Sequence, residues 1–202
     1  MPILPREPDV FPDDLLDYDP DLDPDLDLDP DQDGSTEEAA ARWWALYTLP
    51  RREKELVRRL RGMGISHYCP LIKRRKRSPS GRMRTSYVPL FASYVFLRGC
   101  EESRYQAWTT NCVSRCLDVD DGRQLAHDLR QIRRLLESDA PLTPESRLEP
   151  GMRVRIRSGS LVGLEGTVVK RRGTERLLVA VHFLQRGASV QLEDFQVERI
   201  DN

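Results

Sequence analysis

The stretch "RWWALYTLPRREKELVRRLRGMG", Arg42 to Gly64, sets the architecture. Its first eight residues are aromatic and apolar over their length and suit a buried strand. Pro50 then opens a helix at a position where its missing N–H costs nothing. Leu56, Val57, Leu60 and Met63 share one helical face with arginines opposite. Gly62 and Gly64 end the helix.

Working outward, "HYCPLIKRRKR" (67–77) reads as a second strand running into a basic loop, and Ser78–Gly81 as a turn. Tyr87 to Leu97 reads as a third strand, with Pro89 near its start or at a bulge. A short helix starts at Glu101, and "CVSRCLDV" (112–119) is a fourth strand. Asp120 or Asp121 caps a last helix with Leu125, Leu129, Ile132 and Leu136 in one stripe. The order β-α-β-β-α-β over 41–139 is the split βαβ, or ferredoxin-like, arrangement. Residues 140–150 hold three prolines and read as a linker.

Residues 151–202 switch to period two. Met152, Val154 and Ile156 face one way and Arg153, Arg155 and Arg157 the other. Gly159, Gly163 and Gly166 are placed in turns leading into a strand. Five short strands predict a small all-β barrel, and the β-branched content disfavours a helical alternative. The fold class is therefore α+β. At the other end, residues 1–40 carry fifteen acidic residues and one arginine, with recurring proline. Such a segment cannot bury enough surface to offset its ordering entropy, so a disordered acidic tail is expected. Asp29, Asp31, Asp33 and Gly34 start like a calcium loop, but Ala40 stands where a bidentate Glu is required.

Charge is unevenly placed. Residues 42–98 hold fifteen basic and two acidic residues, a field that attracts polyanions. No basic start precedes an apolar run, and no run approaches the roughly 18–20 apolar residues of a membrane span. A cytoplasmic protein is expected. The four cysteines form no CxxC pair and are expected to be reduced. No metal set, cofactor motif or nucleophile–base pair stands out, so neither a cofactor nor an enzymatic activity is expected.

The two modules together resemble the NusG/RfaH family of transcription elongation factors. "WWALYTLPRREKELVRRL", "YCPLI", "PLFASYVFL" and "TTNCVSRCL" resemble successive parts of its N-terminal domain. "LEPGMRVRIRSGSLVGLEGTVVKRRG" resembles its KOW motif, which sits in an SH3-like barrel. The resemblance implies a monomeric factor whose N-terminal domain binds the clamp helices of the largest RNA polymerase subunit and suppresses pausing or modulates termination. The barrel would recruit the ribosome or a termination factor. Two departures stand out: Ala92-Ser93 replaces the family's Pro-Gly or Pro-Asn, and Ser103 to Tyr105 replaces a His-Thr-Thr run that makes a second polymerase contact in some members.

Strand alternation puts Val95 and Leu97 on one face and Tyr94 and Phe96 on the other. Tyr94 and Phe96 are either core beneath the last helix or a docking patch. The resemblance favours the patch, with Phe91 and Leu90 as further members. Lys73, Arg74, Arg75, Lys76 and Arg77 are expected to steer the protein toward DNA or nascent RNA near the polymerase. The alternative function is a KOW-containing RNA-binding protein of ribosome assembly or translation, which would bind rRNA without polymerase.

Overall fold

The computed structural model describes residues 7–17, 41–77, 81, 83–138, 140–147, 151–171, 173–192 and 197–200. By contact they form two units, Met1–Gly122 and Arg123–Asn202. The first unit contains β1 (Val10–Phe11), β2 (Arg42–Thr48), α1 (Glu53–Gly62), β3 (His67–Tyr68), β4 (Leu71–Arg77), β5 (Met83–Pro89), β6 (Tyr94–Gly99), α2 (Glu101–Thr109) and β7 (Val113–Asp118). Five strands form one antiparallel sheet in the order β1-β3-β6-β2-β7. The helices connect β2 to β3 and β6 to β7.

The aromatic strand and the amphipathic helix of Arg42–Gly64 meet as their patterns require. Trp44, Leu46, Val95 and Leu97 point to one face of the sheet. There they pack with Leu56, Val57 and Leu60 of α1, Ala107 of α2, and Ile65, Cys69, Leu71, Cys112 and Val113. Burying each large apolar side chain contributes about 1.5–3 kcal/mol. Met63, expected on the buried face of α1, caps its C-terminus and is exposed. Gly64 follows in the left-handed region at φ 71°, where a side chain would be strained.

Two strand expectations are corrected. The basic run is not a loop: it is most of β4, which pairs with β5 from Leu71↔Pro89 to Arg77↔Met83. The expected single strand Tyr87–Leu97 is two strands, because the chain turns at Leu90–Ser93 and Tyr94 begins β6. Pro89 ends β5, where its missing N–H leaves no gap inside a ladder.

The expectation of disorder over residues 1–40 is corrected for 7–17. Val10 and Phe11 form β1 against β3, and Leu15 and Leu16 are buried. These four apolar residues precede the Asp-Pro repeat, and the average composition of the segment hides them. The possible calcium loop at 29–40 lies outside the described residues.

The second unit holds α3 (Gly122–Glu137, of which all but Gly122 belongs here), β8 (Leu142–Glu145), β9 (Met152–Ile156), β10 (Glu165–Arg171), β11 (Thr174–Val181), β12 (Arg186–Gln191) and β13 (Val197–Arg199). Its antiparallel sheet has the order β13-β9-β10-β11-β12-β8. β8 lies inside the stretch expected to be a linker, and its residues pair with β12 from Val190↔Leu142 to Gly187↔Glu145. The contact boundary therefore falls at Gly122, ahead of the expected boundary at 139. Leu125, Leu129 and Ile132 of α3 are buried as expected, but Leu135 rather than Leu136 completes the stripe.

Gly159 and Gly163 occupy turns at φ 89° and 79°. Gly166 does not: it lies inside β10, paired with Val154. A Cβ there would sit 2.5 Å from the carbonyl oxygen of Leu178, so close packing of backbones accounts for this glycine.

Candidate functional site

The face of the first sheet opposite α1 and α2 is read from register. Directly paired residues share a face. One row runs Val10–Tyr68–Phe96–Ala45–Leu117 and the next runs Tyr94–Tyr47–Arg115. This is the face that carries the proposed aromatic patch.

Exposure divides that patch. Phe96 is 0 % exposed and meets Phe91 edge-on with ring centroids 6.2 Å apart. Phe91 and Leu90 are also buried. The expectation that these three present apolar surface to a partner is corrected: they are packed within the chain. Tyr94 is half-buried, and Tyr47 beside it is 38 % exposed. The two tyrosines pack edge to face, with centroids 5.2 Å apart. The solvent-facing aromatic element is thus the Tyr47–Tyr94 pair. Tyr47 lies in the strand expected to be buried, and only its pairing with Tyr94 puts the two on one face.

The turn that delivers Tyr94 is held from outside. Ser93 has φ 66°, a strained value for a residue with a side chain. Its N–H donates to Oε1 of Glu53 at 2.8 Å, and its carbonyl accepts from the N–H of Thr48 at 2.8 Å. Glu53 is itself buried, at the first turn of α1. A charge-assisted bond and a cross-strand bond therefore fix the Ala92-Ser93 turn where the family pattern has proline.

The basic hairpin is the second component. β4 and β5 pair with each other in a separate two-stranded sheet. At about 3.3 Å per residue, the seven residues of β4 span roughly 23 Å. Lys73, Arg74, Arg75 and Arg77 are exposed, and the side chain of Lys76 lies outside the described set. Among the described residues, none of those four cations is in an ion pair. Arginines elsewhere in the unit are engaged: Arg42 and Arg104 with Glu101, and Arg52 and Arg59 with Glu55. The hairpin thus presents uncompensated charge along both faces of a strand pair.

Ser103 to Tyr105, which stand where some members of the resembled family carry His-Thr-Thr, lie on α2. Arg104 is bonded to Glu101 at 2.6 Å and carries its guanidinium over the Trp44 ring, 5.1 Å from the centroid. Tyr105 is 63 % exposed, and Trp108 one turn later is also exposed.

The second unit contains a polar junction that sequence reading missed. Asp128 lies on the buried face of α3 and is 3 % exposed. Its carboxylate accepts from the His182 backbone N–H at 2.8 Å and from Gln124 Nε2 at 2.8 Å, and meets His182 Nδ1 at 3.1 Å. His182 follows directly on the apolar strand β11. It begins a 3-10 turn, His182–Leu184. Its hydrogen bond to the Asp128 carboxylate raises its pKa above the ordinary value, against partial burial. Three residues along, Gln131 accepts from the N–H of Glu165 at 3.2 Å.

Residues 41–136 match the family model NusG, described as transcription termination factor nusG. Residues 41–136 are thus similar to a NusG-family domain. The matched span covers β2 through α3 and so contains the aromatic face, the hairpin and the Ser93 turn. Among solved structures, a Thermotoga maritima NusG described by its domain interaction aligns over 80 % of this chain and 98 % of its own. The identity is 19 % and the TM-score 0.40. No curated protein matches the chain. Among the described residues, no helix is long and apolar enough to cross a membrane.

Proposed function

We propose that this protein is a NusG-family, non-enzymatic transcription elongation and antitermination factor of the cytoplasm. It acts as a monomer on the clamp helices of the largest RNA polymerase subunit, and suppresses pausing or modulates termination. The first unit is read as the ferredoxin-like domain of the family and the second sheet as its SH3-like KOW barrel, which recruits a ribosomal protein or a termination factor. The Tyr47–Tyr94 pair is the anchor, set on a rigid floor of Phe96, Phe91 and Leu90. Lys73, Arg74, Arg75 and Arg77, with Lys76, guide the complex toward DNA or nascent RNA at the polymerase.

One observation carries this reading: within the NusG-family match, the sheet leaves an aromatic pair at solvent in the same unit as a hairpin of uncompensated cations. Aromatic anchors of that kind supply most of the energy of an interface. Exposed charges supply rate and salt-dependent attraction, and little selectivity.

The test is retention of purified RNA polymerase on the immobilised full chain, followed by a single-round elongation assay with and without the protein. Retained polymerase and altered pause duration are expected. Binding to rRNA fragments with no retention of polymerase would instead support the ribosome-assembly reading.

A further inference from the structure

The family match begins at residue 41, yet a folded segment precedes it. Residues 7–17 add β1 to the outer edge of a sheet that already has the strands β3-β6-β2-β7. The register places Val10 opposite Tyr68, and Tyr68 opposite Phe96. Val10 therefore stands at the end of the row that floors the proposed anchor, on the same face. Leu15 and Leu16, a few residues on, are also buried.

The attachment is narrow. The strand has two residues. The Asp9 carbonyl accepts from the N–H of Cys69 at 2.7 Å. Arg61 of α1 donates to the carbonyls of Val10 at 2.8 Å and Pro8 at 3.3 Å, and its guanidinium lies over the Phe11 ring. Phe11 stacks on His67 with centroids 5.9 Å apart, and Arg58 meets Glu7 at 3.3 Å. The paired backbone is short, and apart from the buried Val10, Leu15 and Leu16 one arginine is the main clamp, so the element opens locally before the sheet does.

We propose that residues 7–17 are a releasable strap that withholds one end of the aromatic face from a partner. The proposal rests on the polymerase-binding reading above and deepens it. With the strap seated, Tyr68 is 1 % exposed and the apolar row ends against Val10. With it released, the edge of β3 and the Tyr68 end of the row become accessible, and the face that binds polymerase extends. The strap is thus an autoinhibitory element attached to the family domain: binding is reduced by the fraction of molecules in which it is closed.

The experiment compares the full chain with two variants, deletion of 1–17 and the double substitution Arg61→Ala/Phe11→Ser, which keeps the segment but removes its clamp. Three quantities are read: amide exchange at Cys69, bis-ANS fluorescence, and affinity for purified RNA polymerase core enzyme. Expected in both variants are faster exchange at Cys69, increased dye binding, and polymerase affinity about tenfold higher, the factor for a strap closed in about nine molecules of ten. Faster exchange with unchanged or weaker polymerase affinity overturns the proposal, as does exchange at Cys69 that neither variant alters. If dye binding rises on release but no form of the chain binds polymerase, the strap's covering role stands and the polymerase reading falls.

Discussion

Two truncations on the same face separate a floor from an anchor. Phe96→Ala removes a wholly buried ring that meets Phe91 edge-on. Losing its transfer energy and leaving a cavity costs about 3–5 kcal/mol. For a domain of roughly 100 residues, where 1 kcal/mol moves Tm by about 4 °C or more, the melt should fall by at least about 12 °C. Tyr47→Ala with Tyr94→Ala removes rings that are partly in water already. Their mutual edge-to-face packing contributes about 0.5–1.5 kcal/mol, so the loss of stability is small. As interface anchors, however, each should weaken polymerase binding by about 2 kcal/mol, close to 30-fold. The assay is thermal unfolding by circular dichroism paired with equilibrium binding to immobilised polymerase, well below the variants' melting temperatures. A folded Tyr47→Ala/Tyr94→Ala protein that binds within about threefold of the parent would refute the assignment of the anchor. A Phe96→Ala protein with an unchanged melt would refute the packing argument beneath it.

Replacing Lys73, Arg74, Arg75 and Arg77 by glutamine should weaken nucleic-acid binding at low salt and flatten its salt dependence. The slope of log K against log salt should drop by about 0.9 for each phosphate of duplex DNA that the protein no longer neutralises; filter binding across a salt series reads it. A second expectation concerns pH. The pKa of His182 is raised above its ordinary 6.5, mainly by Asp128, while Arg153 opposes the shift. The charged pair therefore stabilises the second unit fully below that ordinary value, and the contribution fades as pH rises through the raised one. Asp128→Asn should abolish this dependence, seen as the melting temperatures of the two proteins converging as pH is raised from 6.5; a gap that does not change with pH would refute the linkage.

What could be read from the sequence was what is periodic and local. The continuous aromatic run at 42–48 marks a buried strand by composition, and Leu56, Val57 and Leu60 of α1 and Leu125, Leu129 and Ile132 of α3 recur at the helical period. The turn at Leu90–Ser93 has no such signature. Its left-handed residue is a serine and not a glycine or asparagine, and the group that holds it, Glu53, lies 40 residues away. Alternation likewise puts Phe96 and Tyr94 on a common face but says nothing about what covers each ring, so it cannot tell the buried floor from the exposed anchor. The junction at Asp128 did leave a trace. A carboxylate between Leu125 and Leu129 interrupts an apolar stripe, and a buried charge needs a partner. The sequence shows that need, but only the fold brings His182, 54 positions on, to meet it. Sites of this kind come from long-range closure, so interruptions in an otherwise regular pattern are where sequence reading should expect function or regulation to lie.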